Sequence, residues 1–254
     1  MAVATRPGFT DEDLVQLTGL IKGADSVELK VTVPDSHQRS TVAALGLDPL
    51  TSQLRQVYFF DTPELALDAQ GLVVRARRVQ GKGGDTVVKL RPVVPDDLPA
   101  AHRKSAAFNV EVDALPGGFV CSGALKGSAD PTAVLAAARG ELPIRKLFSK
   151  EQRALYAEHA PDGVALDDLT VLGPILVLKL RIEPPELDRR LVVEMWSYPD
   201  GSRILELSTR CLPNEAFQVA AETRVFLSGH GVDLSGEQAT KTKRALEFFA
   251  GELS

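Results

Sequence analysis

Cysteine is nearly absent from this chain: Cys121 and Cys211 are its two thiols in 254 residues. They lie far apart and have no histidines at metal-ligand spacing. That excludes a disulfide framework or a cysteine-based zinc fold and predicts two free thiols in a reducing compartment. Histidine is almost as scarce. His37, His102, His159 and His230 are scattered with no H-x-x-x-H pair, so the sequence assigns none of them a role. Long apolar runs are also missing. Runs such as Ile175 to Leu178 fall far short of a membrane span. Met1 to Gly8 lacks the apolar core of a signal peptide, so a cytoplasmic location is expected. Nor is there a cationic excess: 29 Lys and Arg stand against 34 Asp and Glu, a net charge of -5. A general nucleic-acid binder, basic over a whole face, is thereby disfavoured, while a local basic pocket remains compatible.

What remains is the composition of a soluble globular protein, 44% hydrophobic and 25% charged, long enough to bury a substantial core. No compositional break divides the chain, so a single domain over residues 1–254 is expected.

The chain is organised around Ser26 to Val33, S-V-E-L-K-V-T-V. Side chains of a strand alternate between its faces. Here Val27, Leu29, Val31 and Val33 form an apolar face, and Ser26, Glu28, Lys30 and Thr32 a charged one. The same split recurs. Arg75 and Arg77 share a face in Leu72 to Val79, as do Lys89 and Arg91 in Thr86 to Arg91. Asn109, Glu111 and Asp113 share one in Ala107 to Asp113, Lys179 and Arg181 in Ile175 to Ile182, and Glu206, Ser208 and Arg210 in Arg203 to Arg210.

Further strands are expected at Gln53 to Asp61, Leu147 to His159, Val164 to Val171 and Arg190 to Trp196. Helices are expected after Thr10, over Gln38 to Leu47, Pro131 to Arg139 and Glu215 to Leu227, and from a Ser235 cap with Gln238 three residues on. Proline-rich Val93 to Ala101 reads as a loop. Strands joined by antiparallel turns dominate, which gives an α+β fold.

Two arrangements accommodate such strands. An open sheet leaves the charged faces to water. A closed barrel puts the apolar faces outward under helices and the charged faces inward. In the second, Lys30, Arg75, Arg77, Lys89, Arg91, Lys179, Arg181 and Arg210 line a lumen together with Glu28, Glu111, Asp113, Glu194 and Glu206. So many enclosed cations repel one another unless a multiply charged anion joins them. Arginine forks suit phosphate oxygens. The interleaved carboxylates tolerate phosphate when a divalent cation bridges them, and oxygen-rich sites of that kind prefer Mg²⁺ or Mn²⁺. Lys179 and Arg181 fit a surface position equally well.

Taken in order, these segments resemble the CYTH superfamily, the triphosphate tunnel metalloenzymes. V-E-L-K at Val27 to Lys30 resembles the family's opening E-x-E-x-K strand. V-Y-F-F-D-T at Val57 to Thr62 resembles its Y-F-D-T turn. Gly71-Leu72 before Arg75 and Arg77 resembles G-L-x-L-R-x-R, and Val88 to Arg91 the K-L-R strand that follows. The resemblance implies an eight-stranded antiparallel β tunnel, open at both ends, with helices packed outside. It implies a metal-dependent phosphohydrolase acting on a small-molecule triphosphate or polyphosphate, with Mg²⁺ or Mn²⁺.

By the same resemblance, Glu28, Glu206 and Asp168 are expected as metal ligands; Glu111 and Glu194 are held in reserve because they lie on charged strand faces. The resemblance implies that Lys30, Arg75, Arg77, Lys89, Arg91, Arg153 and Lys241 hold phosphate, to which strand alternation adds Lys179 and Arg181, and Glu28, Lys30, Arg75 and Arg77 are expected to be catalytic. The chain departs from the pattern at Ser26 and Ser208, which stand where the family carries carboxylates. That leaves two alternatives open: a non-catalytic polyphosphate- or nucleotide-binding protein, and a class IV-type adenylate cyclase.

Overall fold

The computed structural model describes residues 10–234, 238 and 241–253. The expected Ser235 cap and the Met1 to Gly8 segment lie outside the described residues.

Nine strands close into a barrel. In chain order they are β1 Ser26–Val33, β2 Gln53–Asp61, β3 Leu72–Val79, β4 Gly84–Leu90, β5 Phe108–Leu115, β6 Gly118–Ala129, β7 Thr170–Ile182, β8 Leu191–Ser197 and β9 Arg203–Cys211. Around the barrel they follow β1-β5-β6-β4-β3-β2-β7-β8-β9. Eight of the nine seams are antiparallel. The exception is β1 against β5, which run parallel with Ser26 opposite Glu111 and Glu28 opposite Asp113. The expected eight-stranded, wholly antiparallel barrel is corrected accordingly. The added strand is β6, whose Gly- and Ala-rich sequence carries little alternation.

Helices pack around this barrel: α1 Asp11–Gly23, α2 Gln38–Ala44, α3 Ala66–Ala69, α4 Ala100–Arg103, α5 Pro131–Ala138, α6 Lys150–His159, α7 Ala216–Gly229 and α8 Lys241–Leu253. Thr10 and Asp13 form a reciprocal capping box at α1. The outer face of β3 and β4, with Leu72, Val74, Ala76, Val88 and Leu90, joins Val134 and Ala137 of α5 and Leu155 and Tyr156 of α6 in one apolar core.

Two expected strands are corrected. Leu147 to His159 is chiefly helix. Ser149 accepts from the Gln152 amide while the Gln152 side chain accepts from the Ser149 amide, and this closed cap starts α6. Val164 to Val171 is mostly a turn with a short 3₁₀ segment, Leu166–Asp168, before β7 begins at Thr170. Gly71 shows how tightly the barrel rim is packed. Its φ is +72°, and a Cβ there would lie 2.6 Å from the carbonyl oxygen of Arg91, so glycine is required.

Candidate functional site

Strand alternation sorts the charged residues inward, and the ion pairs confirm the placement. Lys30 Nζ lies 2.8 Å from Asp113 and 3.2 Å from Glu28. Arg91 approaches the other Asp113 oxygen at 3.4 Å, and Lys89 lies 4.0 Å from it. Asp113 is fully buried. Burial alone raises its pKa, but Lys30, Lys89 and Arg91 outweigh that and hold it at about 2. Lys30 is raised because Asp113, Glu28 and Glu206 together exceed the burial penalty. Lys89 ends the other way. Burial outweighs the distant Asp113, and neighbouring Lys30 and Arg91 add repulsion, so it falls to about 8.

A second cluster surrounds Glu194, whose carboxylate receives Lys179 at 2.8 Å and Lys241 at 2.6 Å. Lys241 also reaches Glu206 at 2.6 Å and stands over the Trp196 ring, 5.0 Å from its centroid. Burial opposes ionisation of Glu194, yet the two ammonium groups hold it well below the usual carboxylate range. Lys179 is lowered although it belongs to the same pair. The difference has a cause: Glu194 gains from two cations, whereas Lys179 is lowered first by burial and then by Arg55 and Lys241, against one shared carboxylate.

The third cluster is cationic. Arg55 on β2 and Arg75 and Arg77 on β3 crowd together. Arg77 is answered by Asp85 through two hydrogen bonds of 2.8 and 2.9 Å. Arg75 has no such partner among the described residues: its Nε is buried without a hydrogen bond, as is that of Arg55. Burial and the neighbouring Arg77 lower Arg75 to about 9, so at neutral pH it stays charged and in need of an anion.

Ser26 and Ser208 lie on the same lumenal face. Ser26 Oγ donates to Glu111 at 3.3 Å and Ser208 Oγ to Glu28 at 3.2 Å. Carboxylate oxygens of Glu28, Glu111 and Asp113 all come within 4.8 Å of one another. Arg210 pairs with Glu111 near this rim.

The lumen is not open throughout. Val57, Phe59, Val73, Ile175, Val177, Trp196 and Ile204 pack with Ala245 and Leu246 of α8 into one apolar cluster. Beside it, Lys30, Arg91, Asp113, Glu206 and Lys241 line a cavity of about 30 Å³. α8 thus covers part of the barrel and sends Lys241 inside.

Of the expected site residues, Glu28, Lys30, Arg75, Arg77, Lys89, Arg91, Glu111, Lys179, Glu194, Glu206 and Lys241 are brought to the lumen. Arg181 shares the face of Lys179 but is exposed. Two residues are placed elsewhere. Arg153 lies on α6 outside the barrel, where it donates to the Phe148 carbonyl at 3.2 Å, because its segment is helix and not strand. Asp168 accepts from the Ala165 amide at 2.9 Å in an exposed turn. Sequence reasoning missed Arg55 and Asp85. The alternation Gln53, Arg55, Val57, Phe59 carried the signal for Arg55, and the pairing of β3 with β4 places Asp85 opposite Arg77.

No protein-family profile and no curated protein matches this sequence. Solved structures do match its shape. HpAC1 from Hippeastrum, named for adenylyl cyclase and revealing a dominant triphosphatase activity, superposes with a TM-score of 0.64 at 17% identity, over 87% of this chain and 95% of that one. A Bacillus halodurans structure named for adenylate cyclase gives 0.58 at 14% identity, over 87% and 98%. At such identities the likeness establishes the fold alone: this chain shares a closed barrel fold with these two structures.

Proposed function

We propose that the lumen binds a triphosphate compound and hydrolyses it with the help of a divalent cation. The observation that carries this reading is Arg75, a cation with no ion-pair partner among the described residues, beside Arg55 and Arg77, with a depressed Lys89 on the neighbouring strand. A polyphosphate supplies the missing negative charge along the same path. HpAC1, with its triphosphatase activity, has the same fold.

The residues fit a hard cation. Glu28, Glu111 and Asp113 offer oxygen ligands only, close enough to converge on one ion, a donor set suited to Mg²⁺ or Mn²⁺. Bound there, the ion would polarise a phosphoryl oxygen and lower the pKa of a water. Arg75 and Arg77 hold the phosphate chain and stabilise charge developing on the equatorial oxygens. Lys30, between Glu28 and Asp113, fixes both carboxylates. The cavity beside Lys241 has room for about one water, so an incoming phosphate takes over this lysine from Glu194 and Glu206.

Phosphate release from tripolyphosphate, ATP and thiamine triphosphate across Mg²⁺ and Mn²⁺ tests the reading, with cyclic AMP followed by mass spectrometry. Folded protein that releases phosphate from none of the three rules out hydrolysis. A second reading, binding without turnover, draws on Ser26 and Ser208, whose hydroxyls replace carboxylates beside Glu111 and Glu28. In a weakened enzyme, a Ser26→Glu, Ser208→Glu double variant turns over at least about tenfold faster with Mn²⁺, since two added carboxylates strengthen the metal site. A pure binding protein gains nothing.

A further inference from the structure

We propose that His102, Glu158 and His159 form a surface zinc site, separate from the lumen. His102 is on α4, which follows the proline-rich loop; Glu158 and His159 end α6. The fold brings these two helices together on the outside of the barrel. His102 Nε2 lies 3.5 Å from Glu158 Oε2, and His159 Nε2 lies 4.0 Å from Glu158 Oε1. One ligand atom from each residue falls within 4.8 Å of the others. Ligand atoms of a tetrahedral zinc stand about 3.3 Å apart, given bonds of about 2.0 Å, so small side-chain rotations complete the set.

A second observation points to a ligand. His102 Nε2 and His159 Nε2 are both buried, and neither has a hydrogen-bond partner among the described residues. Buried imidazole nitrogens without partners are costly, and here two of them face one carboxylate. A lone proton shared with Glu158 serves one nitrogen; a divalent ion serves all three residues. Two imidazoles and a carboxylate are the donor set of zinc and its late first-row neighbours, not of Mg²⁺. The Phe108 ring is stacked on His102, with centroids 5.6 Å apart, and orients the imidazole. Glu158 is half exposed while His102 is 15% exposed, so the fourth position opens to solvent and takes water. Such a site ties α4, and the loop before it, to α6.

Zinc binding to the full chain is measured by calorimetry in excess Mg²⁺, which occupies oxygen-only sites such as the lumen. Cobalt binding is followed in parallel by visible absorption, which reports imidazole ligation in a four-coordinate site. One Zn²⁺ per chain at micromolar affinity is expected, with cobalt bands that zinc abolishes. His102→Ala and His159→Gln should each weaken Zn²⁺ by more than about 100-fold, the upper end for loss of a mere supporting residue. His159 lies at a partly exposed helix end, so the second variant stays folded if the first does not. Zinc bound equally by wild type and His159→Gln, or no cobalt bands in the wild type, overturns the proposal.

Discussion

Arg75 concentrates the tension between folding and binding in this molecule. It is enclosed, next to Arg77 and Arg55, and its Nε has no hydrogen-bond partner among the described residues. Replacing such a charge by an apolar side chain of similar length relieves desolvation without breaking a pair. Arg75→Met should therefore raise thermal stability, by on the order of 1 kcal/mol. It should also weaken tripolyphosphate binding at least about tenfold, by removing a charge-assisted fork. Differential scanning calorimetry and isothermal titration on the same variant check both signs. Lys89 gives a pH signature. Its pKa of about 8 means that the ammonium is lost as pH rises through that value. Tripolyphosphate affinity measured without metal should fall between about pH 7 and 9, and Lys89→Met should flatten that decline.

At the level of elements, Gln152 clamps α6 to the barrel. It is fully buried, donates to the Leu125 carbonyl at 3.1 Å on β6, and its side-chain oxygen receives Thr86 at 3.0 Å on β4. Gln152→Ala orphans both partners and removes the half of the α6 capping box that its side chain supplies, which should cost about 2–3 kcal/mol in urea unfolding. The same residue explains a misreading. Leu147 to His159 contains enough apolar residues for a strand. The Ser149–Gln152 cap, visible as S-x-x-Q, was the sign of helix, and its effect comes from satisfying amides that a strand would pair elsewhere.

Across the whole barrel, Asp113 on β5 joins Lys30 of β1 to Lys89 and Arg91 at the end of β4. It is thus the negative centre at the parallel seam that closes the ring. Asp113→Asn takes the shared counter-charge from partly buried Lys89 and Arg91 and leaves Lys30 to Glu28, which should destabilise the protein by about 3 kcal/mol. Tripolyphosphate, as a substitute anion, should recover part of the lost melting temperature; thermal shift with and without it measures this. Within the described residues, no helix is long and apolar enough to cross a membrane.

The sequence by itself determined which side chains share a face of each strand. Alternation is a local property of extended backbone, so Glu28 with Lys30, Arg75 with Arg77, and Glu206 with Ser208 could be assigned to common faces before any pairing was known. Register and closure are not local. The parallel seam of β1 with β5, the ninth strand β6 and the entry of Lys241 between Glu194 and Glu206 depend on contacts between distant segments. So does the meeting of His102 with His159, which the chain alone showed only as scattered histidines. Tertiary structure decided these because burial and counter-charge act through space, and spacing along the chain carries no record of them.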